Sequence, residues 1–149
     1  MSSLQANLDK CRSNVTTPLI MKNKAVKGAQ RPIFIVDDDA SVRDSLRVLL
    51  ETLGFTVHTY GSGSEFLAGG RGKDAGCLIV DQHMPETDGL TMLSLLRGEG
   101  VNAPAILMTG RLDAAIAGRA AELDVTAVLD KPFRPAQLVE TVLTSLRRG

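Results

Sequence analysis

Tryptophan is absent from this chain of 149 residues, tyrosine occurs once and phenylalanine four times. A core poor in large aromatics must be built from aliphatic side chains, which suits helices packed on parallel strands better than an aromatic-rich β-sandwich. There are two cysteines, Cys11 and Cys77, too far apart for a disulfide framework or a metal-ligand pattern, and this usage fits a reducing, cytoplasmic setting. No apolar run exceeds about five residues, far short of a membrane span, and the first thirty lack the continuous apolar segment of a secretory signal. Without a basic stripe or an aromatic stacking platform, direct binding of nucleic acid is not expected either.

What is present is enough for one domain. At 44% hydrophobic residues the chain can bury a single ordinary core but not two. The formal net charge is zero, yet the charges are unevenly distributed. Residues 1–31 hold six basic side chains (Lys10, Arg12, Lys22, Lys24, Lys27, Arg31) against the single acid Asp9. With no sustained hydrophobic period, this stretch reads as a flexible basic extension, solvated or touching an acidic partner. Residues 32–148 are the expected folded domain, with no effector domain after them.

Within 32–148, apolar runs alternate with amphipathic stretches. Ile33–Val36, Cys77–Val80, Ala105–Met108 and Val125–Leu129 are continuous β-favouring runs, as in strands covered on both faces; 55–60 alternates and reads as an edge strand. Between them, helices are predicted over 41–53 (stripe Val42, Leu46, Leu49, Leu50, Leu53), 62–68, 90–97 and 112–123, and from Pro135 to the end (Leu138, Val139, Val142, Leu143, Leu146). Asp39 or Ser41 can cap the first, and Thr87 or Asp88 the third. Asp124 stands where a glycine would end the fourth. Gly69-Gly70-Arg71-Gly72-Lys73 has no Gly-Lys-Ser/Thr ending and reads as a surface turn, not a phosphate cradle. Five strands alternating with five helices predict an α/β fold of (βα)5 type, a doubly wound five-stranded parallel sheet in three α/β/α layers.

In such a sheet the C-terminal strand ends share one edge, where these folds place their chemistry. Asp37 and Asp38, Asp81, Thr109 and Lys131 all follow apolar runs and can therefore converge. Clustered carboxylates repel one another, and a hard divalent cation, Mg²⁺ or Mn²⁺, relieves that repulsion. A carboxylate is also a nucleophile towards phosphorus. Asp81 is thus the candidate acceptor of a phosphoryl group, with Lys131 as a second cation and Thr109 as a hydrogen-bond donor.

Asp37-Asp38 after the first strand, Asp81 followed by Met84-Pro85 and Asp88-Gly89, Thr109-Gly110, and Lys131-Pro132-Phe133 together resemble the receiver domain of two-component response regulators, a CheY-like (flavodoxin-like) fold. The wording around Thr109 and Lys131 is most similar to FixJ-type receivers. The resemblance implies that Asp81 takes phosphate from a histidine kinase or phosphotransfer protein, with autodephosphorylation afterwards. It implies that Asp38, Asp81 and the backbone carbonyl of His83 ligate Mg²⁺, that Asp37 acts largely through water, and that Lys131-Pro132 is a cis peptide. It also implies an active surface on the fourth helix, fifth strand and fifth helix, through which homodimers can form. His83 and Arg111 occupy positions that tune phosphate lifetime in this family. Val128 stands where many receivers carry an aromatic switch residue, so the usual readout is altered.

Two other readings stay open at this point. In one, Asp37 is the nucleophile of a haloacid-dehalogenase-type phosphatase, although that leaves Asp81 idle and lacks a further acidic pair. In the other, the chain is a pseudo-receiver that only binds proteins.

Overall fold

A computed structural model describes residues 31–148; the expected basic extension lies, apart from Arg31, outside the described residues. Continuous aliphatic runs form strands only where both faces are covered, and the three that are entirely buried occupy the sheet centre: β1 (Ile33–Val36), β3 (Cys77–Asp81) and β4 (Ala105–Thr109). β2 (Val57–Tyr60) and β5 (Ala127–Asp130) are partly exposed and form the edges. The order is β2-β1-β3-β4-β5, every neighbouring pair parallel. The expected five-stranded parallel sheet is therefore present, with 55–60 at an edge as its alternation implied.

The helices are α1 (Ala40–Thr52), α2 (Gly63–Gly69), α3 (Gly89–Gly98), α4 (Ala114–Glu122) and α5 (Pro135–Arg148). Their side chains build two aliphatic cores, one on each sheet face. Leu46 and Leu50 of α1 and Leu138 and Val142 of α5 pack with Ile33, Ile35, Ile79 and Ile106. Phe66, Leu90, Leu93, Leu96 and Ala120 of α2, α3 and α4 pack with Phe34, Leu78, Val80 and Leu107. Burying a Leu or Ile side chain contributes about 1.5–3 kcal/mol, so these layers carry most of the stability.

Caps set the helix starts. Asp39 accepts from the backbone N–H of Ser41 and Val42, Ser62 from Glu65, Asp88 from Thr91, and Asp113 from Ile116. Each satisfies N–H groups left without partners in the first helical turn. Asp113 was not anticipated, which is why α4 begins two residues later than the predicted 112. Asp124 does adopt the left-handed conformation, φ 57°.

Three assignments differ from the sequence reading. Leu53, placed on the α1 stripe, is 51% exposed, because the helix ends at Thr52 and the chain leaves the helical path there. Leu143 is 40% exposed; five residues beyond Leu138, it lies about 140° round the helix axis. The turn at Gly72–Asp74 is present as a single 3₁₀ turn, but Gly72 itself is buried. A β-carbon there would come within 3.0 Å of Leu96 and 3.2 Å of Val101, so any side chain requires these two to give by a few tenths of an ångström.

Arg97 is a structural tie that spacing alone could not reveal. From the last turn of α3 its guanidinium donates to the carbonyls of Leu123 (2.9 Å), Val101 (3.1 Å) and Ala103 (2.8 Å). It thereby joins the C-terminal ends of α3 and α4 to the entry of β4. Burial lowers its pKa, and Asp124 opposes the change. Replacing it by Met keeps the apolar stem but leaves three carbonyls without this donor, so Arg97→Met is expected to destabilise the domain by about 2 kcal/mol. Urea denaturation checks this; an unchanged midpoint contradicts it.

Candidate functional site

Strand register brings the site together. Val36 pairs with Val80, Val80 with Leu107 and Asp81 with Met108, so Asp37, Asp81 and Thr109 finish their strands at the same sheet edge. Beyond β1, the Asp37 N–H still donates to Tyr60 O at 3.1 Å, extending the pairing by one residue. The Asp37 carboxylate is fully buried and accepts from the Asp39 N–H at 2.9 Å. Arg43 on α1 donates to the Asp37 carbonyl at 2.7 Å.

Lys131 closes the site. Its ammonium lies 3.2 Å from Asp37 Oδ2 and 3.2 Å from Asp81 Oδ1. The Lys131 N–H donates to Thr109 O at 2.8 Å, and the Lys131-Pro132 peptide is cis, as the resemblance implied. Asp37 and Asp81 are buried, Asp38 is exposed, and one carboxylate oxygen of each lies within 4.8 Å of those of the other two. The expected convergence of 37, 38, 81, 109 and 131 is thus present in three dimensions.

Electrostatics follow from that crowding. Burial raises the pKa of the Asp81 carboxyl, and the Asp37 charge raises it further, against the opposing pull of Lys131 and the backbone N–H of His83. Burial works against a charged Lys131, but Asp37 and Asp81 outweigh it and hold its pKa above the ordinary lysine value. Three carboxylates face one ammonium, so the pocket carries surplus negative charge on hard oxygen atoms. Such a donor set could hold a divalent metal ion.

Thr109 is fully buried. Its Oγ1 accepts from the Arg111 N–H at 3.1 Å and lies 3.1 Å from His83 Nε2. His83 is exposed, yet its ring reaches back to Thr109. The Arg111 side chain is exposed, and only its backbone is bonded to the site's hydroxyl. Val128 is half-buried on β5 opposite Leu107 and packs against the core.

Two further residues support the site. Gln82 is buried, and its Oε1 accepts from Leu90 N at 2.9 Å, binding the β3 exit to the start of α3. Gly89 sits so close to the end of β3 that a β-carbon would meet Asp81 O at 2.6 Å. That contact gives the Asp88-Gly89 pair a physical reason, since glycine permits a close backbone approach.

The family model for the response regulator receiver domain matches residues 33–143. The chain belongs to the response regulator receiver family. Among curated relatives, the transcriptional regulatory protein FixJ of Azorhizobium caulinodans is 38% identical over 118 residues, covering 79% of this chain and 56% of that protein. FixJ of Bradyrhizobium diazoefficiens is 34% identical over 117 residues, covering 78% and 57%. The chain therefore spans a little over half the length of these relatives. Among solved structures, FixJ-N superposes with a TM-score of 0.72 at 29% identity, covering 87% of this chain and 98% of that one. The response regulator StyR superposes at 0.74 and 34%, covering 79% and 60%. As a receiver of two-component systems, the domain has a histidine kinase as the implied partner. No helix among the described residues is long and apolar enough to cross a membrane.

Proposed function

We propose that Asp81 is the phospho-acceptor of this receiver and that Asp37, Asp38, Thr109 and Lys131 serve its reaction. The supporting observation is the shared Lys131 ammonium, 3.2 Å from both Asp37 and Asp81 at the strand ends. An Asp81 carboxylate oxygen attacks the phosphorus of a kinase phosphohistidine. The P–O bond to Asp81 forms as the P–N bond breaks, and the departing ring nitrogen takes up a proton. In hydrolysis, water attacks the same phosphorus and returns the free carboxylate and inorganic phosphate. Lys131 and the Thr109 hydroxyl supply the positive charge and the hydrogen bond that the phosphoryl oxygens need.

The resident cation we assign is Mg²⁺, for which Mn²⁺ can substitute. The carboxylates of Asp38 and Asp81 and the backbone carbonyl of His83 would hold it, with Asp37 acting through water. When bound, it neutralises charge shared by the carboxylates and the phosphoryl oxygens. The hard oxygens within 4.8 Å fit such an ion. The finer assignments rest on composition, cysteine usage and the family resemblance. These are residues 32–148 as the receiver, residues 1–31 as a basic extension, a cytoplasmic location, and phosphorylation-dependent homodimers through α4, β5 and α5.

Acetyl phosphate with Mg²⁺ is expected to add one phosphoryl group per chain, labile to hydroxylamine as an acyl phosphate is. A chelator is expected to abolish the labelling. Lys131→Met is expected to slow it by about 10²-fold, the usual loss for a removed charge-stabilising donor. Labelling that persists in chelator, or at the parent rate in Lys131→Met, contradicts the reading. A chain that binds neither Mg²⁺ nor beryllofluoride would instead be a protein-binding pseudo-receiver.

A further inference from the structure

The hydrogen bond between His83 and Thr109 holds more than position. A threonine hydroxyl has one proton and two acceptor lone pairs. The Arg111 N–H takes one lone pair of Thr109 Oγ1, at 3.1 Å. Thr109 is fully buried, and a buried hydroxyl proton without an acceptor costs about 1–3 kcal/mol. Among the described residues, His83 Nε2 at 3.1 Å is the acceptor within reach. Satisfying the hydroxyl in this way requires a ring whose Nε2 is free to accept, with its proton on Nδ1.

A phosphoryl group on Asp81 changes this accounting, because its oxygens accept and cannot donate. Thr109 can serve them only with the proton it is already giving to His83. We propose that His83 is a positioning residue that hands over this proton: phosphorylation moves the ring proton from Nδ1 to Nε2, which then donates to Thr109 Oγ1. The hydroxyl is left with both lone pairs occupied and its proton directed to the phosphoryl group. The ring neither gains nor loses a proton overall. Nδ1 releases one to water and Nε2 takes one up, an exchange open to an exposed residue.

Two consequences follow. His83 orients the Thr109 proton in the phosphorylated domain without itself touching the phosphoryl group. Its exposed ring also carries the state of Asp81 to the surface of the β3–α3 loop. Val128 is an aliphatic residue packed against the core, so no ring on β5 performs that task here.

The proposal rests on Asp81 being the phospho-acceptor, and the test separates the two. Domain labelled with ¹⁵N is followed by long-range ¹H–¹⁵N correlation of the His83 ring while Mg²⁺ and beryllofluoride are added, with ¹⁹F signals reporting bound fluoride. The expected result is a resting Nε2 of pyridine type that becomes pyrrole type as bound-fluoride signals appear. Thr109→Val should bind fluoride without that change. A pyrrole-type Nε2 at rest, or no change once fluoride is bound, overturns the proposal and leaves the acceptor reading intact. Failure to bind fluoride at all overturns the acceptor reading. As a second readout, His83→Leu is expected to slow labelling by acetyl phosphate about tenfold, the loss of one orienting hydrogen bond. His83→Gln, whose amide can donate to Thr109, should restore most of the rate; a His83→Leu variant labelled as fast as the parent contradicts the role.

Discussion

Asp81→Asn is expected to abolish labelling by acetyl phosphate while raising the stability of the unlabelled domain. The first effect follows from the loss of the nucleophilic oxygen; an amide oxygen is too weakly basic to attack phosphorus at a useful rate, and at least a 10³-fold loss is expected for removal of a nucleophile. The second follows from linkage. Burial and the neighbouring Asp37 hold the Asp81 carboxyl above its ordinary value of 3.8. The native state therefore keeps this proton more tightly than the unfolded chain does. The stabilisation is complete below that ordinary value and is lost as pH rises through the raised one. At neutral pH the ionised carboxylate is a net cost to folding, which asparagine removes. The gain in thermal midpoint should be clear at pH 7, shrink towards pH 4, and fall in the presence of Mg²⁺, which stabilises the parent. A variant less stable than the parent at neutral pH, with no dependence on pH, would show that the charge cluster is not strained.

Gly89→Ala is expected to cost about 3 kcal/mol, near the upper end for a methyl group forced into a packed site. The added β-carbon would lie 2.6 Å from Asp81 O and 3.0 Å from Val80 Cγ1, and the obstructing oxygen belongs to backbone paired in the sheet. Relief requires α3 to move away from β3, so the Gln82–Leu90 hydrogen bond lengthens and Asp81 is displaced with it. Labelling by acetyl phosphate should fall together with stability. Gly118→Ala provides the contrast: an α4 position with nothing within 4 Å of the added carbon and full helical propensity to gain. It is expected to stabilise by about 0.5–1 kcal/mol and leave labelling unchanged. Paired urea denaturation of the two variants measures the difference, and equal midpoints would contradict it.

The residues of the site were legible because each ends an apolar run. Asp37, Asp81, Thr109 and Lys131 follow buried stretches, and parallel topology alone sends such positions to one edge. Helix caps at Asp39 and Asp88 were legible for a similar reason, being short acceptors just before an amphipathic period. What escaped the sequence was contact between distant backbone and side chain. Arg97 looks like an ordinary basic residue closing α3, yet it binds carbonyls up to 27 residues away. Gln82 is a polar residue following a buried run, and its partner appears only once α3 is docked. The His83–Thr109 bond also spans 26 residues, and neither residue's local pattern points to the other. Glu86 adopts φ 69° after Pro85 in a loop with no period to read, whereas the same conformation at Asp124 could be inferred from its place at a helix end.

The account's central claim is that the phosphoryl group is carried by residue 81. Borohydride reduction of the labelled domain converts an aspartyl phosphate to homoserine, and peptide mass spectrometry then locates the altered residue. Homoserine at position 81 alone is the predicted result. Homoserine at position 37 or 38, with Asp81 unaltered, would contradict the account and return the chemistry to the phosphatase-like reading of the first acidic cluster.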